Sequence, residues 1–135
     1  MIDRIKNDEE WSNSFDLLAL YSDGYRKRKI VELKEIPITY YKYIINNKIV
    51  GIIGFKKYNK EIIHLTVHPE YRNQHIALSL INFVLDNLSD TAYLAVRTNN
   101  ITMNNLITKH FKYEIINIKH NVLNEELYYY QISKK

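Results

Sequence analysis

The residues best placed to do chemistry lie in one run, from Glu61 to Leu85. Glu61 to Val67 is rich in β-branched residues and stops at His68-Pro69, where proline removes a backbone donor and bars further strand. From Ile76 the period changes. Ala77, Leu80, Ile81, Val84, Leu85 and Leu88 fall on one helical face, with Ser79, Asn82 and Asp86 opposite. Residues 71–77 therefore read as a loop entering a helix N-terminus. A first helical turn leaves backbone N–H groups without internal partners, and the helix dipole adds partial positive charge there. Together they suit a phosphate or pyrophosphate; an ordinary crossover is the plainer alternative.

Two strand residues carry proton chemistry. In a regular strand 61, 63, 65 and 67 share a face, so Glu61 is expected to look the same way as Val67. His64 has an imidazole's suitable intrinsic pKa but falls on the alternate face, where packing is the simpler role.

The elements that must position these groups follow from period and punctuation. Ile2 to Lys6 reads as a short edge strand. Asn7 reads as the N-cap of a helix carrying Trp11, Phe15, Leu18 and Tyr21 and stopping at Asp23-Gly24. A second helix is expected from Tyr25 to Glu35, before Pro37. Three strands follow: Tyr40 to Ile45, Ile49 to Lys57 and Glu61 to Val67, joined by turns at Asn46-Asn47 and at Tyr58 to Lys60. Asparagine tolerates the left-handed conformations of tight hairpins. Gly51 and Gly54 suggest a bulge or a close backbone approach. After the helix to Leu88 come a buried strand from Ala92 to Val96 and a helix opening at Thr98 to Asn100 and carrying Met103, Leu106, Ile107 and Phe111. A hairpin of Tyr113 to Lys119 and Glu125 to Ile132 ends the chain. The order β-α-α-β-β-β-α-β-α-β-β predicts an α/β chain with a mixed sheet, whose strands 61–67 and 92–96 are parallel across the helical crossover.

At 135 residues the chain is expected to be one domain over 1–135, able to bury roughly two thirds of its unfolded surface. A hydrophobic share of 46% and a charged share of 25% are ordinary for a globular protein. No apolar run approaches the ~20 residues of a membrane span, and the first residues lack the apolar core of a signal peptide, so a cytoplasmic protein is expected. Without cysteine there is no disulfide framework, thiolate zinc site or cysteine nucleophile. The five histidines lack a compact metal spacing, so no metal is expected. The net charge of +4 does not single out nucleic acid. The one dense basic cluster, Arg26 to Lys29, reads as a solvated helix face or as a contact to an acidic ligand, RNA included.

The run Val67-His-Pro-Glu-Tyr-Arg-Asn-Gln-His-Ile-Ala77 resembles the signature loop of the GNAT superfamily of acetyl-CoA-dependent N-acetyltransferases. The family pattern is Arg or Gln, two residues, Gly, one residue, then Gly or Ala, after a strand ending in Val-x-Pro. Arg72 and Ala77 match, and His75 stands where the first glycine is expected. The element order is similar to that of the family over essentially the full length. The resemblance implies the GNAT fold, with the two parallel strands splayed and a site between Leu65–Val67 and Ala92–Val96. It implies acetyl-CoA as acyl donor: pyrophosphate on Arg72, Asn73, Gln74, His75, Ile76 and Ala77, and the pantetheine arm along Leu65, Thr66 and Val67 and on Asn99, which otherwise reads as an N-cap. It implies Glu61 as general base, acting through water on a primary amine. The family's acid tyrosine, four residues before a Gly-Phe pair, is replaced by Leu106 before His110-Phe111. Tyr113, Tyr128, Tyr129 and Tyr130 are the substitutes to test, each also explicable as strand packing.

Three readings follow. One is an N-acetyltransferase acting on a small molecule, peptide or protein. Another is a GNAT-fold module that has lost catalysis and binds a partner protein, with or without coenzyme A. A third is RNA contact through Arg26 to Lys29. The acceptor and any homodimer are not legible in the letters.

Overall fold

The computed structural model describes residues 1–5, 38–73 and 75–135. The helices expected over 7–24 and 25–35, and the basic cluster Arg26 to Lys29, lie outside the described residues, as does Gln74. Within them the chain is α+β, with seven strands and two helices: β1 (Ile2–Arg4), β2 (Ile38–Ile45), β3 (Lys48–Lys56), β4 (Glu61–Val67), α1 (Ile76–Asn87), β5 (Thr91–Arg97), α2 (Ile101–His110), β6 (Phe111–His120) and β7 (Glu126–Lys134). They fall into two compact units, Met1–Phe83 and Val84–Lys135.

The first unit is an antiparallel meander in the order β1-β2-β3-β4. Its tightest turn is the expected one: Asn46 and Asn47 sit at φ 50° and 63° between Ile45 and Lys48, the paired positive values that a two-residue hairpin needs. Gly51 is where the helix comes down on the sheet. A Cβ there would lie 2.9 Å from Ile76 Cγ2 and 3.2 Å from Leu80 Cδ1, so only glycine allows this approach. Gly54 gives room to the Tyr40 ring and the Ile63 carbonyl, 2.9 and 3.1 Å from its would-be Cβ. Val50, Ile52, Ile53, Phe55 and Ile62 are buried, as is Tyr40.

In the second unit β7 is central, antiparallel to β5 on one side and β6 on the other. The helix α2 passes straight into β6. Phe111, expected to end the helical stripe, is extended at φ −129° and ψ 156° and opens the strand, while its amide closes the helix on the Ile107 carbonyl. The expected apolar stripe of α1 is present, with Leu80, Ile81, Val84 and Leu85 buried, and the helix stops at Asn87, one residue short of Leu88. Among the described residues no helix is long and apolar enough to cross a membrane.

Candidate functional site

The loop between β4 and α1 is fixed by its own short-range bonds. His68 caps a single 3-10 turn, Pro69–Tyr71, by accepting the Glu70 amide on Nδ1 at 3.1 Å, while its own amide donates to the Val50 carbonyl at 2.8 Å. Arg72 Nε donates back to the Val67 carbonyl at 3.3 Å, tying the loop to the end of its strand. Asn73 and His75 stand at φ 66° and 59°. His75 thus takes the left-handed conformation that glycine adopts without steric cost. Its carbonyl accepts the Ser79 amide at 2.9 Å, which makes it the residue on which α1 begins. Ile76 and Ala77, expected at the end of the loop, belong to the first helical turn. That turn contains no acidic residue, and its first amides face away from the helix body, where an anion is favoured. The residues present fit a pyrophosphate.

One residue changes the chemistry of β4. In the ladder with β3, Ile52 pairs with Thr66 but Gly54 pairs with Ile63, so His64 and Leu65 together oppose Ile53. This is a β-bulge, and its first residue, His64, sits at φ 58°. A bulge shifts the alternation by one. Glu61 and Ile63 therefore share a face with Thr66, and Val67 lies on the face of Gly51, against Ile76 and Leu80. The expected common face of 61, 63, 65 and 67 is corrected: regular alternation does not survive an inserted residue.

His64 is corrected with it. Tyr40 pairs with Gly54 and overlies it, on the side of Ile63 and Glu61. Its hydroxyl is 2.6 Å from His64 Nδ1, and the two rings stack with centroids 5.7 Å apart. The imidazole is thus brought to Glu61's side of the sheet. Glu61 pairs with Lys56, Nζ to Oε1 3.4 Å, and its amide donates to Asn59 Oδ1. Thr66 is buried and donates to the His64 carbonyl at 3.3 Å, bracing the bulge.

In the second unit the cap of α2 is Asn100, whose side chain accepts the Met103 amide at 3.1 Å. Asn99, expected at that position, is one residue outside, exposed, with its carbonyl accepting the Ile101 amide. A polar hub was missed by sequence reasoning. Asn104 donates to the carbonyls of Arg97 and Asn100 at 3.0 and 2.9 Å, and accepts the Tyr130 hydroxyl at 2.5 Å. Its signal was available: an asparagine at the i+4 position between Asn100 and Ile107 interrupts an apolar stripe. Burial raises the Tyr130 phenol above its ordinary 10.0, with Tyr128 and Tyr113 adding in the same direction. Tyr129 stacks on Tyr93, with Lys119 Nζ 3.9 Å from its ring centroid. Leu65–Val67 falls in the first unit and Asn99 in the second.

No curated protein sequence matches the chain. Among solved structures, the fold is similar to that of the ribosomal-protein-S18-alanine N-acetyltransferase of Escherichia coli, with a TM-score of 0.83 at 13% identity, covering 100% of this chain and 94% of that one. It is similar to a GNAT acetyltransferase from Elizabethkingia anophelis with acetyl-CoA bound, with a TM-score of 0.76 at 15% identity over 98% of this chain and 97% of that one. It is also similar to the aminoglycoside 6′-N-acetyltransferase of Enterococcus faecium, with a TM-score of 0.75 at 17% identity over 98% and 96%. The sequence pattern of the acetyltransferase (GNAT) family matches residues 5–113, most of the chain, and the chain belongs to that family.

Proposed function

We propose that the chain is an acetyl-CoA-dependent N-acetyltransferase whose acceptor is a primary amine on a small molecule, a peptide or a protein. The observation that carries this reading is the loop before α1. There a histidine holds glycine's conformation at the door of a helical turn without acidic residues. The Arg72–Ala77 segment would bind the pyrophosphate, and Leu65, Thr66, Val67 and Asn99 the pantetheine arm. The bound thioester supplies an activated acetyl group.

The chain's own part is to orient that group and take a proton. A lysine-like amine with a pKa of about 10.4 must lose its proton to attack. Glu61 is the acceptor we assign, acting through water. Amides near the β4 bulge are the donors we assign to the acetyl carbonyl, because an inserted residue leaves backbone groups outside the ladder. The family match crosses both compact units, which supports reading 1–135 as one acyltransferase domain. Leu106 supports a second reading, a partner-binding module without turnover, since leucine cannot donate a proton.

Thermal unfolding with acetyl-CoA, dephospho-coenzyme A and pantetheine tests the reading. Ligand at about 100 times its Kd adds roughly 2.7 kcal/mol, a rise of roughly 8–11 °C for this length. Both pyrophosphate compounds are expected to raise Tm and pantetheine to leave it unchanged. No rise with millimolar acetyl-CoA overturns donor binding. A rise without transfer to any of a panel of amines favours the second reading.

A further inference from the structure

The strand β6 is unusually bare. After Phe111 every one of its residues is exposed, including Tyr113, Ile115, Ile116 and Ile118, which are 43–53% exposed. Among the described residues β7 is the one strand that pairs with it, and its other edge has no partner strand among them. Open apolar edges invite pairing with another strand.

The arrangement of this edge specifies what pairs with it. In an antiparallel ladder successive residues turn their N–H and C=O alternately to one neighbour and the other. The Thr98 amide donates to the Glu126 carbonyl and the Asn121 amide to the Glu125 carbonyl. Glu126 therefore faces β5, and Leu127, Tyr129, Gln131 and Ser133 face β6. Their partners are Lys119, Asn117, Glu114 and Lys112. The β6 residues that turn their backbone to the open edge are the others: Tyr113, Ile115, Ile118 and His120. The Ile118 amide agrees, since its bond goes to the Asn117 side chain at 2.8 Å.

The spacing of these four would be irregular but for a bulge. Ile115 pairs with Tyr130 and Asn117 with Tyr129, so Ile116 is an inserted residue. The insertion puts Tyr113, Ile115, Ile118 and His120 on one face and Lys112, Glu114, Asn117 and Lys119 on the other. Apply a two-fold axis beside Ile116 and Asn117, perpendicular to the sheet. Ile115 then meets Ile118 of the second copy and Tyr113 meets His120, each pair with outward backbone groups matched. Glu114 meets Lys119, each on the same face as its partner. By symmetry there are two Ile–Ile pairs and two Glu–Lys pairs, and the two bulges fall opposite each other. A bulge that would spoil pairing with an ordinary strand is self-complementary here.

We propose that β6 is a self-association edge, pairing antiparallel with β6 of a second copy in this register. An isologous contact of this kind closes after two copies. The test is sedimentation velocity on the full chain, with circular dichroism and thermal unfolding to verify folding. The wild type is expected to be a dimer at micromolar concentrations. Lys119→Glu replaces both attractions by repulsions and is expected to weaken the dimer about tenfold or more. The double swap Glu114→Lys/Lys119→Glu restores the pairs and is expected to recover it. Ile118→Pro removes an amide that β7 does not use, and is expected to give a folded monomer. A monomeric wild type overturns the proposal. So does a dimer indifferent to both Lys119→Glu and Ile118→Pro.

Discussion

His64 and His75 share a backbone conformation, φ 58° and 59°, yet replacing each by glycine is expected to shift stability in opposite directions. A non-glycine residue in the left-handed region costs roughly 1–2 kcal/mol. Glycine removes that cost but loses about 0.5–1 kcal/mol of chain entropy on folding. His75 is exposed, so little else changes, and His75→Gly should be neutral to about 1 kcal/mol stabilising. His64 gains the same relief but gives up the 2.6 Å bond to Tyr40 and the stacked contact. Losing a buried partner costs roughly 1–3 kcal/mol, so His64→Gly should be destabilising by about 1 kcal/mol. With an unfolding entropy of about 2.1 cal/mol/K per residue, 135 residues give about 0.28 kcal/mol/K, so 1 kcal/mol moves Tm by roughly 3–4 °C. Paired thermal and urea unfolding of the two variants reads the difference. A His75→Gly protein destabilised by more than about 1 kcal/mol, or shifts of the same sign in both, would refute the argument that backbone strain governs one site and side-chain contact the other.

Two further outcomes are expected. Glu61→Gln should lower kcat severalfold to a hundredfold with little change in acetyl-CoA affinity and at most about 1 kcal/mol lost with the partly buried Lys56 contact; initial-rate kinetics and calorimetry measure both, and unchanged kcat at every pH removes Glu61 from the proton step. Tyr130→Phe should cost about 1–2 kcal/mol by depriving Asn104 of its donor. It should also flatten the alkaline limb of the stability profile: the folded phenol titrates above 10.0, so the wild type's extra stability is present below pH 10 and lost as the pH rises through the folded value.

Punctuation made most of the strands and helices legible. Asn46-Asn47 allows little except a tight hairpin, and Gly51 marks the close approach of a helix because any side chain there would collide with Ile76. What stayed hidden were single-residue insertions. The bulges at His64 and Ile116 leave no mark in the letters of their own strands; for His64 the signal stands in the neighbouring strand, where Gly54 flanks the shift. Their effect is large, since shifting alternation by one moves every later side chain to the other face. Glu61 therefore shares its face with Thr66 rather than Val67, and His64 lies on Glu61's side rather than the alternate one. The displaced cap at α2 is a smaller case: Asn99 and Asn100 are both good caps, and only the bond to Met103 decides between them.

The missing tyrosine at 106 bears on whether this fold still catalyses. Two of the β7 tyrosines are engaged by other groups. The Tyr130 proton is held by Asn104, in a buried setting that makes the phenol a weaker acid, and the Tyr129 ring is sandwiched by Tyr93 and Lys119. A general acid is worth roughly 10²–10⁴ in rate when the departing group is a poor one. A thiol with a pKa near 8.5 needs that help least, because its anion is stable within about two units of neutral pH. Leu106 thus argues for a slower enzyme more strongly than for none. Weak turnover whose rate is insensitive to Tyr130→Phe would agree with this view, whereas loss of all turnover in that variant while it remains folded would give Tyr130 a part in proton transfer that its bond to Asn104 argues against.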